Sequence, residues 1–336
     1  MEKPHPSEVS FILPPPLNLL PFRPHARGEE IVSKTHEWAK KKLLLCFPSS
    51  DSFDRFWKGK GVMFLPLSFP SFSDDRLFRA QNLITYLFAL DDVISEDIDN
   101  NVDISQRDQT KSREVYTQIA GVFKGSHVEN AGPWASALMD VWNLMAGFEE
   151  EHALRARHRD YTYEEMKFVR RKSSGMDLTI LLIEYGIHVD LTDEFKESKS
   201  LRRLHELALD QMLLYHEILS FRKEYFAGLD EMNSVAFWAR PGHSKLQEAV
   251  DTAMMLITKS EREFVKEREE LLKTPLGQQS NVFAYLEELG YTMAGCQRFQ
   301  FLAPRYHGLN HEWNGAMSGK FILTPEKTIF PSVSDG

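Results

Sequence analysis

Apolar residues recur three and four positions apart over most of the chain, the spacing that turns one face of an α-helix toward a core. Ile31, Thr35, Trp38, Ala39 and Lys42 to Leu45 follow it from Glu29 until Pro48. The stretch 48–75 is rich in Pro, Ser, Phe and Gly and predicts a short helix around Asp51–Trp57 plus loops. Leu77, Phe78, Leu83, Tyr86, Leu87 and Leu90 set a further helix over 75–94, and the polar, acidic run 96–112 predicts a loop. Helical patterns also cover 113–125, 133–156, 161–189, 200–226, 244–273 and 280–303. Strand-like alternation is scarce, no repeat of fixed period is present, and no compositional break marks a linker. The pattern predicts one all-α domain over 29–320. Before it lies an arm, 1–28, with Pro4, Pro6, Pro14, Pro15, Pro16, Pro21 and Pro24, and after it a tail, 321–336.

Composition narrows the function classes. The 336 residues carry 40 Lys+Arg against 49 Asp+Glu, net −9, which argues against a general nucleic-acid binder because that needs a basic face. A local basic pocket stays open. The two cysteines, Cys46 and Cys296, make no disulfide framework and fit a reducing, cytoplasmic setting. The residues after Met1 have no apolar signal region, and no uninterrupted apolar run reaches the ~18 residues of a membrane span. Aromatic residues are 12% of the chain, which suits either a core or a large apolar pocket.

Several apparent motifs fail on inspection. His205-Glu206 starts like a zinc-protease HExxH, but Leu209 stands where the second histidine belongs. His158-Arg159-Asp160 resembles a kinase catalytic loop, but Glu165 replaces its asparagine. There is no glycine-rich nucleotide loop, and the two cysteines form no CxxC pair.

Three polar sets remain. Asp91, Asp92, Glu96 and Asp97 close the apolar pattern at 75–94. Carboxylates at a helix C-terminus oppose the macrodipole and repel one another. A divalent cation would resolve both conflicts, and clustered hard oxygen ligands suit Mg²⁺; a solvated helix end is the competing reading. Second, His216, Ser220 and Glu224 share one helical stripe, since every fourth residue drifts only ~40°. Glu217–Arg222 or Arg222–Glu224 pairing on an ordinary polar stripe would account for that segment equally well. Third, Arg170-Arg171-Lys172-Ser173-Ser174-Gly175 opens an apolar run, with a glycine that costs about 1 kcal/mol relative to alanine inside a helix and so marks a break or a close approach. Arg305-Tyr306 and Lys223 add further donors for phosphate oxygens.

Together these sets resemble the class I terpene synthases, of the single-domain microbial kind and nearest the fungal sesquiterpene cyclases, over residues 30–315. Asp91-Asp92-Val93-Ile94-Ser95-Glu96 fits the family's DDxxxE motif. The second metal motif, (N/D)DxxSxxxE, falls on His216, Ser220 and Glu224, with Glu217 in its second place and Lys223 before its final glutamate. The family's diphosphate-sensing arginine stands about 46 residues earlier, a place assigned to Arg171, with Ser174 and Gly175 as linker and effector. Arg305-Tyr306 matches the pair that caps the diphosphate. The departure is His216, where Asn or Asp is usual; imidazole is a softer ligand than Mg²⁺ prefers. Its unperturbed pKa of ~6.5 predicts loss of a metal ligand by protonation in mildly acidic solution.

The resemblance implies a helical bundle around a central apolar pocket. It also implies metal-dependent ionisation and cyclisation of a prenyl diphosphate with release of diphosphate. Farnesyl diphosphate is the expected substrate, with geranyl and geranylgeranyl diphosphate as alternatives. The cofactor would be Mg²⁺, three ions, with Mn²⁺ as a second choice. Asp91, Asp92, Arg171 and Phe88 would act in catalysis. Phe88, one turn before Asp91, heads a set of cation-facing aromatics with Phe64, Phe148, Tyr185 and Trp313. A chain-elongating prenyltransferase is disfavoured because 216–224 is not a second aspartate-rich motif. A terpene-synthase-like binding protein without catalysis and a helical scaffold are the other readings. Monomer and homodimer are both open.

Overall fold

A computed structural model describes residues 10–44, 47, 49–99, 131–157, 160–240, 245–308 and 319–322. Its elements, in chain order, are β1 (Ser10–Ile12), α1 (Gly28–Lys42), α2 (Ser50–Lys58), α3 (Phe64–Ser68), α4 (Asp74–Asp99), α5 (Ala131–Arg155), α6 (Tyr163–Ser173) and α7 (Met176–Gly186). They continue with α8 (Asp193–Lys196), α9 (Lys199–Ala227), α10 (Ser234–Ala239), α11 (Leu246–Leu272), α12 (Ser280–Leu302), α13 (Pro304–His307) and β2 (Lys320–Ile322). The all-α expectation holds, with one short two-stranded ribbon added. The helical pattern at 113–125 lies outside the described residues. Among the described residues no helix is long and apolar enough to cross a membrane.

The helix ends follow from local chemistry. Ser198 caps α9 by accepting a hydrogen bond from Leu201 N at 3.1 Å, and Gly228, at φ 73°, closes it in the left-handed region. Thr162 and Glu165 form a reciprocal capping box at the start of α6. The pattern read as one stretch over 161–189 is two helices. Gly175 takes φ 71°, a conformation that strains any residue with a Cβ, and separates α6 from α7.

The main core gathers Leu77, Leu83 and Leu87 of α4, Leu178, Leu182 and Ile183 of α7, Leu204 and Met212 of α9, and Leu286, Leu289 and Met293 of α12. A second cluster, with Tyr215 and Ile218 on α9 and Val250 and Met254 on α11, receives β1 and β2. There β1 pairs antiparallel with β2, Phe11 opposite Phe321, their rings stacked at 5.0 Å. Gln247 accepts from Ile12 N at 2.7 Å and donates to Ile12 O at 2.9 Å, and Glu261 accepts from Leu19 N at 2.6 Å. Residues 10–28 are thus seated on the helices, and Phe321, assigned by pattern to the tail, is part of the same packing.

One correction bears on the site. The apolar pattern fades at Leu90, but α4 runs on to Asp99, so Asp91 and Asp92 lie inside a helix and not at its end. The macrodipole does not set their environment. Side chains from other elements do.

Candidate active site

Two charged walls face each other across a cavity with an apolar floor. The floor is formed by Phe64, Ile84, Leu87, Phe88, Phe148, Leu178 and Phe299. Of the aromatics expected there, Phe64, Phe88 and Phe148 line the cavity. Tyr185 does not: it is buried in the core with Arg76 over its ring at 5.0 Å. Trp313 lies outside the described residues. Phe299 was missed because its helix, α12, is apolar on most sides and its pattern marks no cavity face.

The first wall joins α4 to α13. Proline at the first position of α13 and extended Ala303 turn the chain sharply, and Arg305 N donates to Gly59 O at 3.1 Å, pinning the turn. The Arg305 guanidinium then forks onto both aspartates, 2.5 Å from Asp91 Oδ2 and 2.5 Å from Asp92 Oδ1, and lies 5.1 Å from the centre of the Phe88 ring. Lys223 Nζ reaches across from α9 to 3.6 Å from each aspartate. Desolvation works against both charges. Lys223 and Arg305 overcome it at Asp91, whose pKa falls below the usual range, but not at the more buried Asp92, whose pKa rises. Tyr306 packs edge-on against His216 at 5.6 Å and against Phe299 at 5.9 Å. Glu96 stands on α4, and its side chain is outside the described residues.

The second wall joins α6 to α9. His216, Ser220 and Glu224 line the cavity, as their shared stripe predicts, and Lys223 lines it beside them. Glu217 does not line it. Fully buried, it accepts from Arg170 Nη2 at 2.6 Å and Nε at 3.1 Å and from Ser234 N at 2.6 Å. Arg170 also donates to Glu151 Oε2 at 3.1 Å and lies 3.7 Å from Glu224. Asn233, whose Oδ1 caps α10, donates through Nδ2 to Glu224 at 2.8 Å.

The structure places the two neighbouring arginines differently. Arg171 points away from the cavity and pairs with Asp210 at 2.6 Å beside Lys167. Arg170 lines the cavity. The signal was present: Met166, Val169, Arg170 and Ser173 are the buried face of α6, so Arg170 falls on the inward stripe and Arg171 beside it does not. Ser174 and Gly175, at the helix break, both line the cavity. Glu151 and Arg155 of α5 line it too and carried no motif.

The donor set suits a hard divalent cation: carboxylates of Asp91, Asp92 and Glu224 and the hydroxyl of Ser220. Ser220 Oγ and His216 Nδ1 are buried with no hydrogen-bond partner among the described residues, as expected of atoms that await a ligand. Among the described residues no three acidic, histidine or cysteine side chains are grouped to hold a metal ion; Asp91 and Asp92 lie instead on Arg305 and Lys223. Burial lowers the His216 pKa to about 4, against the opposing pull of Glu224. The expected protonation in mildly acidic solution is therefore corrected: the imidazole stays neutral there.

Comparison with known proteins agrees with this geometry. Residues 82–263, over half of the chain, match the family described as terpene synthase family 2, C-terminal metal binding. A microbial terpene synthase-like protein 13 of Selaginella moellendorffii is 36% identical over 141 residues, 42% of this chain and 38% of that protein. A sesquiterpene synthase of Cyclocybe aegerita is 24% identical over 89% of this chain and 90% of its own length. Among solved structures, hedycaryol synthase superposes with a TM-score of 0.68 at 17% identity, over 86% of this chain and 98% of its own. The chain belongs to the terpene synthase family and is a metal-binding class I terpene cyclase.

Proposed function

We propose that the enzyme ionises and cyclises farnesyl diphosphate, releasing diphosphate and a sesquiterpene, with Mg²⁺ as its cofactor. The observation that carries this is the fork of Arg305 on Asp91 and Asp92 at the mouth of an aromatic cavity. It sets cations for a polyanion, acids for a metal and an apolar chamber for a hydrocarbon side by side. The C15 chain length takes its support from relatives such as the Cyclocybe aegerita sesquiterpene synthase.

In this reading Arg305, Tyr306, Lys223 and Arg170 bind the diphosphate oxygens. Asp91, Asp92 and Glu96 would hold metal on one wall, and Ser220, Glu224 and His216 on the other. Mg²⁺ held there would supply Lewis-acid stabilisation of the charge on the diphosphate. Arg305 and Lys223 exchange their aspartate partners for phosphate oxygens, so the cations that neutralise the acids in the ligand-free site become the cations that neutralise the leaving group. Phe64, Phe88, Phe148 and Phe299 exclude water and face the allylic cation, each cation–π contact contributing about 0.5–2 kcal/mol. Ser174 and Gly175 keep the break between α6 and α7 at the cavity wall, next to the arginine that reads the diphosphate.

Incubation with C10, C15 and C20 prenyl diphosphates and Mg²⁺, followed by gas chromatography, tests the reading. A cyclic C15 product formed in step with diphosphate release is expected. Release of diphosphate from none of the three would overturn it.

A further inference from the structure

Glu151 and Arg155 look in sequence like an ordinary surface pair one helical turn apart, worth a few tenths of a kcal/mol. They are not on the surface. Their side chains are only 12% and 17% exposed, and both line the cavity. Burying such a pair costs desolvation that its own attraction seldom offsets, so its place calls for a role beyond stability.

The contacts supply one. Glu151 uses both oxygens on donors from three directions: Oε1 accepts from Arg155 Nη2 at 2.6 Å, and Oε2 from Arg170 Nη1 at 3.1 Å and Ser173 Oγ at 2.5 Å. Arg155 Nη1 donates in turn to Leu229 O at 2.7 Å, just beyond the glycine that ends α9. The pair therefore ties the end of α5 to the last residue of α6 and to the end of α9.

Arg170 sits between two anchored acceptors. Glu217 is fixed by Ser234 N and takes Nε and Nη2, while Glu151 is fixed by Arg155 and takes Nη1. Glu224, at 3.7 Å, is its loosely held partner. An incoming diphosphate can displace Glu224 from Arg170 without disturbing the other two.

We propose that Glu151, braced by Arg155, is a positioning residue that sets the guanidinium plane of Arg170 toward the diphosphate and locks it to the α6–α7 break. The inference rests on the function proposed above. Glu151 does not itself touch substrate. Its loss leaves Lys223, Arg305 and Tyr306 to bind the diphosphate, but Arg170 meets it in the wrong orientation. Misplacement of this order costs roughly 10–100-fold in the chemical step.

The test compares wild type with Glu151→Gln, Glu151→Asp and Arg155→Lys. The readouts are kcat and KM on the preferred prenyl diphosphate, Kd for inorganic pyrophosphate with Mg²⁺ by calorimetry, and thermal melting. Glu151→Gln is expected to lower kcat about 10–100-fold while KM and the pyrophosphate Kd stay within about threefold. Glu151→Asp, which keeps the charge, should recover part of kcat, and Arg155→Lys should lower it less than Glu151→Gln. A kcat within twofold of wild type in Glu151→Gln, whatever its melting temperature, would show a purely structural pair and overturn the proposal. So would a pyrophosphate Kd weakened in parallel with kcat, which would make Glu151 part of the binding surface. Wild type that neither turns over a prenyl diphosphate nor binds pyrophosphate would sink the functional reading, and this inference with it.

Discussion

The two walls of the cavity handle the same problem, acids and bases crowded out of water, in different ways. On the α4–α13 wall Asp91 is 40% exposed, and the arginine that holds it comes from 214 residues away on a helix of one turn. On the α6–α9 wall Arg170 and Glu217 are 8% and 0% exposed, each held by further anchored partners. On the first wall Asp92 and Arg305 are as buried, 1% and 5% exposed, but Asp91 opens their cluster to a ligand. The second is a network in which removing one member strands the rest. The difference separates groups that trade partners with a ligand from groups that hold the frame in which the trade occurs.

The largest test of that contrast is Arg170→Ala beside Arg171→Ala. Removing Arg170 leaves Glu217 buried without its cation and should cost about 3–5 kcal/mol in urea unfolding, with turnover lost. Removing Arg171 breaks a partly exposed pair with Asp210 and should cost about 1 kcal/mol or less, with turnover near normal. Equal losses in the two variants would erase the distinction between the neighbours.

On the first wall, Asp91→Asn and Asp92→Asn should reduce turnover by roughly 100-fold or more while melting temperatures move by only a few degrees, an effect of the size seen when a charge-stabilising group is removed. Scanning calorimetry run beside the turnover assay checks both halves. A collapse of the fold in either variant would mean that the aspartates belong to the frame.

Two buried acids of the cavity, Glu151 behind Arg170 and Asp92 behind Arg305, should titrate with opposite sign. Burial works against ionised Glu151, but Arg170, Arg155 and Ser173 outweigh it and hold its pKa at about 2, below its ordinary 4.5. Its ionised form therefore stabilises the fold above pH 4.5, and that contribution is lost as pH falls toward 2. It amounts to up to about 3 kcal/mol. Asp92 has a raised pKa, so its contribution is present below its ordinary value and is lost as pH rises. Stability measured from pH 7 to pH 2 should show Glu151→Gln converging on wild type in acid, whereas Asp92→Asn should gain on wild type as pH rises. Parallel curves for all three proteins would contradict this.

The smallest effect is expected at His216. Its imidazole stays neutral well below pH 6, so wild type and His216→Asn should share one pH–rate profile from pH 6 to 8. A nitrogen donor should still favour Mn²⁺ over Mg²⁺ by a few-fold relative to the asparagine variant. An identical ratio of Mn²⁺ to Mg²⁺ activity in the two proteins would remove His216 from the ligand set.

Much of the site was legible along the chain because it lies on long helices. The stripe His216, Ser220, Glu224 depends only on helical repeat, and Phe88 and Asp91, three residues apart on α4, reach the cavity by the same geometry. The motif spacing pointed to Arg171, whereas the inward face of α6 carries Arg170 to the cavity. At ~100° per residue, one position moves a side chain from the cavity to the outside of α6.

The residues themselves determined the all-α class, most helix boundaries and the order of the acidic and basic motifs, and they marked Gly175 as a break or a close approach, since each of these is local in the chain. Only the tertiary structure decided which cation neutralises which acid, that Glu151 and Arg155 are buried, and that residues 10–12 pair with 320–322. Periodicity reports which face of a helix is turned inward. It carries no information about what a second element, 200 residues away, places against that face, and in a low-dielectric cavity that opposing group sets the charge, pKa and orientation of the side chain it meets.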